Sequence, residues 1–88
     1  MPLPTYGVSL KKSAENELRL IPVPTLAKVM DRIQGLSHQP RPQGVEKMAG
    51  GDLYRIRQGD WRVLYSIDDQ VKTVFVIKIG NRRDVYRR

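Results

Sequence analysis

Two periods of hydrophobicity divide the chain. Residues 4–10 alternate, with Tyr6, Val8 and Leu10 on one side and Thr5, Gly7 and Ser9 on the other, the period-two pattern of a half-buried strand. From Lys11 the spacing lengthens. Ala14, Leu18 and Ile21 fall at i, i+4 and i+7, with Lys11, Lys12, Glu15 and Arg19 elsewhere. This predicts an amphipathic helix that Pro22 ends, because proline lacks the amide hydrogen that a further turn would need. Pro24 suits the first turn of a second helix, along which Leu26, Val29, Met30, Ile33 and Leu36 make the apolar stripe. The short proline-bounded break predicts a helical hairpin packed on one face of a sheet. Residues 37–44, Ser-His-Gln-Pro-Arg-Pro-Gln-Gly, are a loop by composition.

Period two then returns. Residues 45–48 read as a short strand or the lead-in to one, followed by Gly50-Gly51-Asp52. Residues 53–58 and 61–67 read as strands joined by Gly59-Asp60, where glycine at the first central position fits a type II′ hairpin turn. Residues 71–79 are the most β-prone run, set off by an Asp68-Asp69-Gln70 turn. The expected architecture is one α+β domain over residues 1–88. It has a small antiparallel β-sheet with an N-terminal strand, a two-helix hairpin packed on one face, then a C-terminal β-meander (β-α-α-β-β-β). Tyr54, Trp61, Tyr65 and Phe75 are expected to face the core, Met30 and Met48 to pack, and His38 to be solvated.

Composition narrows the functional classes. Hydrophobic residues make up 40% of the 88, enough for one modest core, and no stretch approaches the run of about 18 apolar residues that a spanning helix needs. The absence of cysteine removes disulfides, thiolate nucleophiles and zinc–cysteine sites together. A single histidine, His38, cannot form a catalytic histidine pair. The nine acidic residues are scattered, with no carboxylate cluster beyond Asp68-Asp69, so no metal and no other cofactor is expected. The opening Met1-Pro2-Leu3-Pro4 has neither a basic n-region nor an apolar h-region, and a cytoplasmic, membrane-free protein is expected.

Charge is the strongest compositional signal. Lys and Arg total 16, for a formal net charge of +7, the balance of domains that meet polyanions. Arginine, the side chain suited to bidentate phosphate contacts and to stacking on bases, is the commoner of the two. Strand parity gathers it. Arg55 and Arg57 share one face of their strand, and Arg62 lies opposite Trp61, Val63, Tyr65 and Ile67 on the next. With a two-residue Gly59-Asp60 turn, Gln58 pairs with Trp61 and Arg57 with Arg62. Like charges directly opposite on a sheet are destabilising, so selection for stability alone would not favour the pair. Lys78 falls on the same face, and no acidic residue is expected in register. The pattern predicts an anion cradle. Arg82, Arg83 and Tyr86 form a second cluster after Gly80, able to hold a phosphate and to stack or orient a base.

The run Leu53-Tyr-Arg-Ile-Arg-Gln-Gly-Asp-Trp-Arg-Val-Leu-Tyr65, followed by a Val/Ile-rich strand and Ile79-Gly-Asn-Arg-Arg-Asp-Val-Tyr86, resembles the RelE toxins of the RelE/ParE toxin–antitoxin superfamily. The likeness extends over nearly the whole chain. It implies a metal-independent, ribosome-dependent endoribonuclease that cuts messenger RNA in the ribosomal A site and inhibits translation. An acidic antitoxin of the RelB kind would be its inhibitory partner. In that family the ribose 2′-hydroxyl attacks the adjacent phosphate, leaving a cyclic phosphate and a 5′-hydroxyl. By the resemblance, Arg55 and Arg57 match the two basic residues of the first hairpin strand. Arg62 matches the arginine that stabilises the developing phosphorane. Arg82 matches the arginine after the strand-ending glycine, and Tyr86 the tyrosine that orients or stacks on the scissile nucleotide. Lys78 and Arg83 are expected to bind RNA. The best-characterised pattern has lysines where this chain has Arg55 and Arg57, and often histidine in the place of Asn81. Two other functions fit the same charge: a ParE-like toxin acting on DNA gyrase, which needs no nuclease site, and an RNA-binding module without catalysis.

Overall fold

A computed structural model describes residues 6–81. The chain runs β1 (Gly7–Leu10), α1 (Lys12–Leu18), α2 (Val23–Gly35), β2 (Glu46–Lys47), β3 (Leu53–Gln58), β4 (Trp61–Asp68) and β5 (Thr73–Asn81). One sheet contains all five strands in the order β1-β5-β4-β3-β2. The α+β fold and the helical hairpin are as the periodicity predicts, with one correction: the sheet is mixed. β1 pairs with β5 in parallel, while the other neighbours are antiparallel. The helical hairpin returns the chain to the end of the sheet where β1 began, the Ser37 carbonyl accepting the Tyr6 amide, and β2 runs opposite to β1. Three reversals from β2 to β5 then leave β5 running the same way as β1.

The helices end where local chemistry says they must. Past Leu18 the amides of Arg19, Leu20 and Ile21 bond to the carbonyls of Asn16, Glu17 and Leu18. These are the i to i−3 bonds of a tightening last turn, and Pro22 follows. Pro22 is itself the N-cap of α2, and Pro24 sits in its first turn. The buried stripe of the two helices is Ala14, Ile21, Val29, Ile33 and Leu36, and it meets Ile56, Val63, Tyr65, Val74, Val76 and Ile79 from β3, β4 and β5.

β5 departs from the sequence reading in four ways. Its turn is longer than the expected three residues, with strand pairing resuming at Thr73 and Lys72 at a φ of 54°. A bulge between Leu64 and Tyr65 leaves Ile77 without an opposite residue, since Leu64 pairs with Lys78 and Tyr65 with Val76. Phe75, expected in the core, is 42% exposed. It alternates with Val74 and Val76, both fully buried, so period two sends its ring to the other face. Gly80, expected to turn the chain, is a buried strand residue paired with Arg62.

Candidate functional site

The β3–β4 hairpin forms with the predicted register. Gly59 has a φ of 62° and Lys72 is the one non-glycine residue with positive φ among those described, so Asp60 keeps a negative φ, as a type II′ turn requires. Gln58 therefore pairs with Trp61, and Arg57 with Arg62. Arg62 pairs on its other side with Gly80. Arg57, Arg62 and Gly80 thus line up across three strands, and the glycine puts no side chain beside Arg62. Arg55 and Lys78 flank Leu64 one step along the same face.

These cations differ sharply in surroundings. Arg62 is 7% exposed, the one charged residue in the buried class among those described. Its Nη1 donates a long bond, 3.4 Å, to the Gly59 carbonyl, and its Nε is buried with no hydrogen-bond partner among the described residues. The Arg55 side chain is 12% exposed and that of Arg57 53%. Both contact Glu46. Arg55 donates from Nε to Oε1 at 2.8 Å, and Arg57 from Nη2 to Oε2 at 3.1 Å.

The expectation that no acid lies in register is therefore overturned. The two-residue strand β2 pairs Glu46 with Arg55, and the two guanidiniums hold the Glu46 carboxyl below the usual carboxylate range, Arg55 most strongly. Three guanidiniums still share a face with one carboxylate among the described residues. Lys78 stands apart from them, since its ammonium binds Glu17 Oε2 at 3.0 Å while Glu17 Oε1 accepts the Ile79 amide at 2.8 Å. β1 ends opposite Val76, so the edge of β5 beyond it is open, and Glu17 of α1 caps it. Arg82, Arg83 and Tyr86 lie outside the described residues, while β5 ends at Asn81, opposite Trp61 and one position from Arg62.

Sequence reading missed a second polar cluster at the opposite end of β4. Arg41 donates to both carboxylate oxygens of Asp69, at 3.3 and 3.0 Å, and its Nε donates to the Tyr54 hydroxyl at 3.2 Å. The guanidinium carbon lies 5.3 Å from the Tyr54 ring centroid. Tyr6 donates to Asp69 at 2.6 Å, and the buried Tyr65 donates to the Pro40 carbonyl at 2.6 Å. Donation from Arg41 and then Tyr6 depresses the Asp69 carboxyl, and burial pushes the Tyr65 hydroxyl up to about 12. Arg41, Tyr6 and Tyr65 each have a hydrogen-bond partner there, while Arg32, near Tyr65, keeps a buried Nε without one among the described residues. The one legible signal for Glu46 was loop length: a four-residue turn at Ala49-Gly50-Gly51-Asp52 places it opposite Arg55.

With this geometry in hand, the comparisons with known proteins are specific. The ParE toxin family of type II toxin–antitoxin systems (parDE) matches residues 8–86. Toxin RelG of Mycobacterium tuberculosis is 34% identical over 87 residues, covering 94% of this chain and 98% of RelG. A chain of the archaeal RelE–RelB complex from Pyrococcus horikoshii OT3 superposes with a TM-score of 0.81 at 31% identity, covering 89% of this chain and 96% of that one. A chain of the toxin–antitoxin complex RelBE2 from Mycobacterium tuberculosis gives 0.79 at 28%, covering 89% and 99%.

Proposed function

The chain belongs to the RelE/ParE superfamily of type II toxin–antitoxin toxins, and from that premise we propose that it is an endoribonuclease cutting ribosome-bound messenger RNA through its arginine face. Arg62 carries this reading. A guanidinium taken out of water without a carboxylate partner costs stability, and an anion brought to it would recover that cost. Its neighbours are Arg57, which adds repulsion, and Gly80, which leaves space beside it. This is the arrangement of a preorganised anion site.

The chemistry follows from charge and position. When the 2′-hydroxyl attacks the adjacent phosphate, the phosphorane gains negative charge that fixed guanidiniums stabilise more than they stabilise the ground state. In this reading Arg62 faces that charge, Arg57 holds the phosphate in line, and Arg55 on the same face fixes the hairpin edge that positions them. Arg82 binds the leaving side, and Tyr86, whose ordinary pKa of about 10 makes it the group able to exchange a proton, orients the scissile nucleotide. Arg83 and Lys78 add contacts to flanking phosphates. No metal is required, because the arginines supply the cationic charge. The partner is an acidic antitoxin of the RelB kind, a reading supported by the neighbours solved as RelE–RelB complexes and by the net charge of +7. Ribosome-bound message makes the site of action cytoplasmic.

The matched family carries the ParE name, which keeps a gyrase-directed toxin as the second reading. A translation extract programmed with a defined message, mapped by primer extension, separates the two. New cuts within codons, present with the wild type and absent with Arg62→Ala, are the expected result. An uncut message with normal translation removes the nuclease reading, and a supercoiling assay then tests gyrase.

A further inference from the structure

Glu46 is the feature of this face that the nuclease reading leaves unused. Its placement is built rather than incidental. β2 is only two residues long and is tied to β3 by its register and by the Met48 amide, which donates to the Leu53 carbonyl at 2.8 Å. This short piece of strand brings one carboxylate between two arginines that alternate along β3 on the same face. Oε1 takes Arg55 and Oε2 takes Arg57, so the carboxylate spans the pair as two oxygens of one phosphate would. Carboxylates and phosphates present the same kind of acceptor to a guanidinium.

The two contacts are unequal in a way that assigns roles. The Arg55 side chain is 12% exposed, so its pairing with Glu46 is shielded from water. The Arg57 side chain is 53% exposed and Glu46 40%, so that ion pair is in solvent, where such pairs are weak and exchange readily.

We propose that Glu46 is a positioning residue and an internal phosphate mimic: it holds Arg55 in place and occupies Arg57 until an RNA phosphate displaces it. Arg57 is then the phosphate-contacting residue of the pair, and Arg55 acts by holding Glu46 and the β2–β3 edge in register. The inference rests on reading this face as an RNA-phosphate site. It predicts that the wild-type chain binds RNA more weakly than its surplus of cations would allow, and that removing the carboxylate's charge tightens binding.

The test is fluorescence anisotropy of purified toxin with a single-stranded RNA whose 2′-hydroxyls are methylated, titrated over a range of salt. Glu46→Gln keeps the size and removes the charge. It is expected to bind about two- to fivefold more tightly, the range that release of one exposed ion pair supplies. The slope of log K against log salt is expected to match the wild type, because the phosphate contacts Arg57 in both complexes. Arg57→Gln is expected to lower that slope by about 0.7, the value for one phosphate contact on a single strand, and Arg55→Gln to leave it unchanged.

In the translation extract, Glu46→Gln is expected to cut more slowly at saturating protein despite binding more tightly, with partial recovery in Glu46→Asp. Unchanged or weaker binding by Glu46→Gln overturns the proposal. So does loss of cleavage with unchanged binding, which would make the carboxylate itself a reacting group. A wild type that binds no RNA even at low salt overturns it as well. Binding that follows the predicted pattern while the wild type cuts no message upholds Glu46 and removes the nuclease reading instead.

Discussion

Among the described residues two polar clusters are built on arginine, and they differ in how closely carboxylates match the guanidiniums. At one end of β4, Arg41 meets Asp69 with two bonds and Tyr54 with a third, and Tyr6 and Tyr65 bind Asp69 and Pro40. Arg41, Tyr6 and Tyr65 are each matched by an acceptor, and the result ties the proline-rich loop and the start of β1 to the sheet. At the other end, Arg55 and Arg57 share Glu46, and Arg62 keeps a buried Nε without a partner among the described residues. Asp69 matches Arg41 in the first cluster, whereas in the second Glu46 is the one carboxylate against three guanidiniums among the described residues.

The comparison breaks most visibly at Arg62. Arg62→Ala is expected to lower message cleavage by about a hundredfold or more, the scale of losing one transition-state donor, with thermal stability unchanged or slightly raised. A stable protein that still cuts would place Arg62 in the structural class with Arg41. The balanced cluster should respond in the opposite sense. Tyr65→Phe leaves the Pro40 carbonyl without its hydroxyl and is expected to cost about 1 kcal/mol in a denaturant titration, while cleavage by the folded protein is kept.

The same tyrosine sets an alkaline limit. Its hydroxyl is raised from 10.0 to about 12 by burial, so the folded state holds a proton that the unfolded state releases. This contribution is full below pH 10 and is lost as pH rises towards 12. Melting temperature against pH should fall over that interval in the wild type and less steeply in Tyr65→Phe. Smallest is the acid effect. Asp69 and Glu46 are depressed from 3.8 and 4.5 by their arginine and hydroxyl donors. Both contribute stability that is present above those values and lost as pH falls through the depressed range. Asp69→Asn should flatten the acid limb more than Glu46→Gln, since Asp69 links Arg41, Tyr6 and the loop whereas Glu46 bridges one hairpin edge.

Much of the arginine face was legible from local pattern. Alternation placed Arg55 and Arg57 together, and the Gly59-Asp60 dipeptide specified the turn that sets Arg57 against Arg62. Three parts were not. Phe75 is a large apolar residue in an apolar run, and composition cannot say which face of such a strand meets the helices. Gly80 looked like a terminator because glycine is permissive, but its opposite neighbour is Arg62. Glu46 lay in a segment too short for periodicity to resolve, and its partner is nine residues away across a loop.

What the sequence by itself determined was each residue's relation to its own element: helical stripe, strand parity, turn type, and the surplus of positive charge. Those follow from steric and hydrophobic rules that act over a few residues. Only the tertiary structure decided which strands lie side by side, that β1 runs parallel to β5, and that Glu17 engages Lys78 while Glu46 engages Arg55 and Arg57. The reason is physical. Pairing between distant segments depends on loop lengths and on a one-residue bulge, and neither leaves a signature in hydrophobic period or in charge.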